Sequence, residues 1–361
     1  MDRPRLKVFY ISGGYTVHDR RFLTSFVEQG WDTTHLPLTT ETLEDRPPSN
    51  AVKRLTATAD QNQITRAIQA SEPDVVIAGP IHTGARLAAL AGAKPLVTVS
   101  WGTDILVDAD RTPEMRSITQ QTLNSSSAVF GDCRAVREAV KRHSSLKDSD
   151  IVTFPWGIDL DIFTPGESSL SLRNDRDWEN GIIFISTRTW EPVYAIDVLV
   201  DAFTIVRESI PEARLILLGS GSKESAIRTR MRELGIERFV HAPGRVSHTL
   251  LPDYFRSADV YVSSALSDGT SISLLEAMAT GLPVVVSDSY GNLEWVEPGV
   301  NGELARPGDP ELLAEAMIAT ATDERTMVRM KAANVAVARS RGDWSKNFPL
   351  LARKVESLAG L

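Results

Sequence analysis

The chain has 361 residues, 42% hydrophobic and 24% charged, with 47 acidic residues against 39 basic and a formal net charge of −8. At roughly 150 residues per domain this length predicts two domains, and the globular composition excludes disordered, collagen-like and coiled-coil classes. The acidic balance weighs against nucleic acid as a partner, because such polymers are bound by a basic excess.

A single cysteine, Cys133, allows no internal disulfide. No Cys/His cluster has zinc-ligand spacing, and both points fit a reducing compartment. The stretch before the first apolar run lacks a signal-peptide segment. No run approaches the roughly 18 apolar residues of a membrane span. A soluble, cytoplasmic protein is expected, with docking to a membrane surface left open.

In chain order, strands are predicted at residues 6–12, 74–78, 95–100, 128–131 and 151–155. Helical patterns fall between them near 20–29, 61–70, 83–91, 113–123 and 134–143. The rhythm repeats with strands at 181–186, 214–218, 239–242, 260–263 and 283–287. Its helices fall near 195–208, 224–234, 249–257, 271–279 and 311–319. Apolar strands alternating with amphipathic helices indicate βαβ units around a buried parallel sheet. Two such series imply an α/β chain of two doubly wound domains. The polar, aperiodic stretch 166–180 is the expected seam, giving domains 1–166 and 167–342. In such sheets ligands sit at the carboxyl ends of strands, so facing domains are expected to enclose a cleft.

The strongest motif spans residues 267–288, SDGTSISLLEAMATGLPVVVSD. A strand ends just before it, Asp268-Gly269 turns, and a helix is predicted to begin near Thr270–Ser271. The N–H groups of a first helical turn form an anion site, contributing about 0.3–1 kcal/mol per exposed charge. A diphosphate needs additional cationic help. Glu276 falls about one and a half turns into the helix, where a carboxylate accepts hydrogen bonds from ribose hydroxyls. The plainer reading makes Asp268 a helix cap and Glu276 a solvated residue.

This segment resembles the signature of the family-four retaining glycosyltransferases of the GT-B fold: an acid, seven residues, then Glu, followed by Ala-Met-Ala-x-Gly-x-Pro-Val. The resemblance extends over nearly the whole chain. It includes Gly13-Gly14, Ser100-Trp101-Gly102-Thr103-Asp104, Phe154-Pro155-Trp156-Gly157-Ile158-Asp159, Arg245-Val246-Ser247-His248 and Gly291-Asn292-Leu293-Glu294. It implies two Rossmann-like domains, the first binding the acceptor and the second the nucleotide-sugar donor. It also implies that a C-terminal helix, about 343–361, returns to the first domain.

By the same resemblance, Arg188 and the amides of Thr270, Ser271 and Ile272 hold the diphosphate, Glu276 the ribose and Asp268 the sugar, while a loop residue near Val246 touches the base. The implied reaction moves a sugar, with retention, from a nucleoside-diphosphate donor (a UDP-sugar favoured) to an acceptor hydroxyl on a glycan, a lipid-linked glycan or a small molecule. The donor is a co-substrate, and no cofactor or metal is expected. Peripheral membrane association is expected only for a lipid-linked acceptor, and the oligomeric state is left open. A non-catalytic sugar-nucleotide or glycan-binding subunit is the rival reading; an epimerase or phosphorylase of the same fold is a remote one.

Two departures stand out. Asp268 replaces the usual Glu and reaches one methylene less far. The family's Arg followed shortly by Lys-Gly appears as Arg188 followed by Tyr194-Ala195. Arg grips phosphate bidentately, but the lost ammonium needs replacing, and Tyr194 or Lys223 are the candidates.

Gly13 and Gly14, counted with the donor-binding candidates, permit close backbone approach to a ligand or simply a tight turn. His82 and His18 follow strand ends, and His82 is the candidate catalytic histidine although offset from the family position. Asp104 is a candidate for orienting an acceptor hydroxyl, or else an Asx-type cap. Asp159-Leu160-Asp161 matches a metal-binding pattern, but short Asp pairs are common in loops, and the structural reading is preferred. Arg20-Arg21 and Lys141-Arg142 are read as solvated helix faces.

Overall fold

A computed structural model describes residues 5–42, 44 and 46–361. The chain divides into two compact units, Met1–Pro155 with Lys346–Leu361, and Trp156–Ser345.

The first unit is built on seven parallel strands: β1 (Lys7–Ser12), β2 (Asp32–Pro37), β3 (Lys53–Arg54), β4 (Val75–Ala78), β5 (Leu96–Val99), β6 (Ala128–Gly131) and β7 (Ile151–Thr153). Their order is β3-β2-β1-β4-β5-β6-β7. The central strands are apolar on both faces and wholly buried, as in β4 Val75, Val76, Ile77 and Ala78. Only helices on both sides of the sheet allow this. The order reverses direction between β1 and β4, which creates a switch point at their carboxyl ends.

Strands β2 and β3 were not expected. β2 reads Asp-Thr-Thr-His-Leu-Pro yet is buried from Thr33 onward. Its polar side chains are accommodated by hydrogen bonding, as where His35 Nε2 meets Ser12 Oγ at 3.0 Å. The helix expected at 83–91 is a π-helical turn, Ile81–Ala85, running into a short α-helix, Arg86–Leu90.

The second unit carries six parallel strands: β8 (Ile183–Ser186), β9 (Arg214–Leu218), β10 (Val240–Gly244), β11 (Val260–Ser263), β12 (Val284–Ser287) and β13 (Gly302–Ala305). Their order is β10-β9-β8-β11-β12-β13, with the switch point between β8 and β11. β13 and the long helix Glu324–Arg341 were unanticipated. The helix buries only Met327, Met330, Asn334 and Ala338, a narrow stripe without the apolar signal of the other helices.

The units divide after Pro155 rather than at the expected seam of 166–180. Ile158 N donates to Gly342 O at 2.7 Å and Trp344 N to Ile158 O at 3.1 Å, so residue 158 pairs with the segment ending the second unit. The polar seam is itself tied to that unit. Ser169 Oγ donates to Asp253 at 2.6 Å, and Arg173 pairs with Asp259 at 2.8 Å. From Lys346 onward the C-terminal helix Trp344–Leu358 belongs to the first unit. There Phe348 packs on Phe26 and Trp31, and Lys354 pairs with Asp150 at 2.7 Å.

Candidate functional site

In the second unit, the loops after β8 and β11 flank the switch point and carry Arg188 and Asp268. Arg188 Nη1 donates to Ser271 Oγ at 2.7 Å and to Ser273 Oγ at 3.2 Å. Its Nη2 lies 2.8 Å from Asp268 Oδ2. The Tyr194 ring covers one guanidinium face, with its centroid 4.1 Å from Cζ. Burial acts against the Arg188 charge, but Asp268 and Tyr194 outweigh it and its pKa lies above the usual arginine range. Burial pushes the Asp268 carboxyl upward, against the pull of Arg188.

The site helix is Ile272–Ala279, one residue later than expected. Its cap is Ser271, whose Oγ accepts from Leu274 N, so Asp268 is not the cap. The amides of its first turn have no i−4 carbonyl partner within the helix. Ser273 Oγ is hydrogen-bonded to the buried Tyr261 hydroxyl at 2.7 Å, and Thr270 is buried beside the cap. Gly291 presses against this loop: a Cβ there would lie 1.8 Å from Gly269 O.

Glu276 is 5% exposed, so it is not a solvated helix residue. Its Oε1 lies 3.4 Å from His248 Nε2, and the His248 ring stands edge-on to Phe163 at 5.4 Å. His248 had not been singled out; its place in the family-like stretch 245–248 was the only signal. Val246, from the same loop, is partly buried against the core that includes Phe163 and Leu274.

Tyr194 ends a 3-10 turn, and Ala195 takes the left-handed φ of +43° where the family has Gly. Ser264 Oγ fixes this turn by donating to the carbonyls of Tyr194 and Ala195 at 2.9 and 2.8 Å. Lys223 is exposed at the head of the helix Glu224–Glu233, held through its backbone N to Trp190 O at 2.9 Å.

The first unit arranges the other candidates around its own switch point. Gly14 is required by packing, since a Cβ would meet Glu41 O at 2.6 Å, whereas Gly13 is exposed with open space around it. Asp104 is 5% exposed and its two oxygens accept from Ser100 Oγ at 2.7 Å, Trp101 N at 3.1 Å and Ile81 N at 3.0 Å. It ties together the loops after β4 and β5. His82 Nε2 contacts Thr119 Oγ1 at 2.7 Å, and Thr119 already donates to Met115 O, so His82 is the donor. Burial lowers the His82 pKa. His18 accepts from Arg21 Nη2 at 3.0 Å through Nδ1 and packs on Trp101.

Asp159 Oδ1 accepts from Asp161 N at 3.0 Å, a local turn. Among the described residues no group of three or more His, Cys, Asp or Glu is placed to hold a metal ion. No helix among them is long and apolar enough to cross a membrane.

Two doubly wound units with these strand orders define the GT-B fold of glycosyltransferases. Solved structures agree. Anabaena HepE in complex with UDP-glucose matches with a TM-score of 0.82 at 18% identity, over 98% of this chain and 100% of that one. Sucrose-phosphate synthase from Thermosynechococcus elongatus also matches at 0.82, with 17% identity over 98% and 99% of the two chains. Residues 171–336, within the second unit, match the family of glycosyl transferases group 1. The curated relatives include mannosylfructose-phosphate synthase of Agrobacterium fabrum, 30% identical over 55% of this chain and 46% of that protein. Phosphatidyl-myo-inositol mannosyltransferase of Mycobacterium leprae is 30% identical over 58% and 54%. The match thus spans about half the length of these relatives.

Proposed function

We propose that the chain transfers a sugar, with retention of configuration, from a nucleoside-diphosphate donor to an acceptor hydroxyl, and that the second unit binds the donor. The observation that carries this is that Arg188, from the loop after β8, bonds the Ser271 cap of the helix that also carries the buried Glu276. In that arrangement the first-turn amides and Arg188 stabilise charge developing on the departing diphosphate, and Glu276 accepts from ribose hydroxyls. HepE, with UDP-glucose bound, supports a UDP-sugar as donor.

The acceptor falls to the first unit, with His82 near its switch point. Neither a metal nor a further cofactor enters this reading, and neither does a nucleophile–base pair: the acceptor proton leaves toward a donor phosphate oxygen. A thermal-shift screen of UDP, GDP, ADP and their sugars tests the reading, because a ligand that binds only the native state raises the midpoint. A rise with at least one diphosphate is expected, and no rise with any overturns it.

The close Arg188–Asp268 contact and the absence of the second cation at Tyr194 favour, as a second reading, a non-catalytic nucleotide-sugar binder. Nucleotide binding without product across an acceptor panel selects that reading.

A further inference from the structure

The pairing of Arg188 with Asp268 is close but incomplete. Although Asp268 Oδ2 lies 2.8 Å from Nη2, the approach is off-line, and this oxygen makes no aligned hydrogen bond. Arg188 Nε is buried and has no hydrogen-bond partner. The Nη1 side, by contrast, is fully engaged by Ser271 and Ser273, and one face is covered by Tyr194. A guanidinium presents Nε and Nη2 as a parallel pair of donors suited to two oxygens of one phosphate or carboxylate. Asp268 offers Nη2 one misaligned oxygen and leaves Nε without a partner.

Burial makes this arrangement consequential. An uncompensated buried guanidinium is strongly unfavourable, so a nearby carboxylate is retained. A better-fitting anion still gains from satisfying Nε, a buried donor left unmade. A phosphate of a nucleoside diphosphate offers two oxygens to Nε and Nη2 together and carries enough charge to replace Asp268.

We propose that Asp268 is a built-in counterion that competes with the donor's diphosphate for the Nε–Nη2 edge of Arg188, so that nucleotide binding releases its carboxylate into the site. Tyr194 acts as a positioning residue: its ring supports the guanidinium from one face and keeps that edge in place during the exchange. The inference rests on the donor-binding reading above and assigns within it a cost of binding set by Asp268. No bond is made or broken; one ion contact is exchanged for another.

Calorimetric titration of the full chain and its Asp268→Asn variant with UDP, GDP and ADP tests it. Loss of the competing charge is expected to tighten binding of the diphosphate that binds by about tenfold, ~1.4 kcal/mol, while the corresponding nucleoside is unaffected. Equal or weaker diphosphate binding by the variant overturns the inference and leaves the donor-binding reading intact. Absence of binding by the wild-type chain overturns both. Should the variant fail to fold, a crystal structure of the wild-type chain with the bound diphosphate decides. Asp268 more than about 4 Å from Arg188, beyond ion-pair reach, supports the exchange, and the contact retained at its present length overturns it.

Discussion

His248 Nε2 lies 3.4 Å from Glu276 Oε1, with both side chains at most 10% exposed. The loop after β10 thus brings an imidazole against one carboxylate oxygen of the site helix. Its partner is 28 residues away in sequence, on the buried face of the site helix. Replacing His248 by Ala is expected to weaken donor binding about fivefold, equivalent to ~1 kcal/mol, with kcat little changed. His248→Gln, which retains an N–H donor, should recover most of the loss. Steady-state kinetics separating KM from kcat checks this, and an equal loss for both variants would assign the effect to packing against Phe163.

Gly291 and Gly269 approach so closely that a side chain at 291 has no place. Gly291→Ala must therefore displace the Asp268–Thr270 loop, at about 1–3 kcal/mol for an overpacked contact. Nucleotide affinity should fall more steeply than thermal stability, because the displaced loop carries Asp268 and the cap of the site helix. Paired titration and melting curves on the purified variant read both quantities.

Asn334 is fully buried, and its Nδ2 donates to Leu282 O and Asn301 O, each at 2.7 Å. It clamps the helix Glu324–Arg341 to the turn after the site helix. Asn334→Ala leaves two buried carbonyls without this donor and should lower stability by about 2 kcal/mol, shifting Tm by roughly 4–8 °C for a unit of this size. Urea or thermal melts detect it, and a shift below about 1 °C would contradict the clamp.

In the first unit, burial lowers the His35 pKa to about 3. Ser12 Oγ donates to Gly14 O, so His35 Nε2 must be the donor to Ser12, and Nδ1 is a buried lone pair without a partner. Above about pH 6.5 the ring is neutral in both folded and unfolded chains. As pH falls below that value only the unfolded chain takes up the proton, so stability declines toward the folded pKa, by as much as about 1.4 kcal/mol per pH unit. Asp19, raised by burial, acts in the opposite sense as pH falls. Urea melts of the wild type and His35→Gln between pH 7 and 5 should show the slope reduced in the variant.

The sheet cores were readable because β4, β5, β8, β11 and β12 are short, uniformly buried runs rich in Val and Ile. β2 escaped because Thr33, Thr34 and His35 are buried as polar residues, which composition alone reads as loop. The domain seam was misplaced because polarity marks a surface stretch but not which unit holds it; that depended on Ser169, Arg173 and Arg256 finding partners far along the chain. Glu276, Asp268 and Arg188 were legible as a motif. The pairings Arg188–Asp268 and Glu276–His248 were not, since each joins segments that follow different strands and no spacing encodes them. Asp104 shows the converse: its place after a strand suggested chemistry, while its oxygens are occupied by Ser100, Trp101 and Ile81.

The central claim is that Glu276 and Arg188 belong to one donor site in the second unit. Titrating the wild-type chain and Glu276→Ala with the nucleoside diphosphate that the screen selects tests it most directly. The account predicts binding to the wild type and at least about tenfold weaker binding to the variant, ~1.4 kcal/mol, at an unchanged melting profile of the unliganded protein. Equal affinity for the two proteins would contradict it.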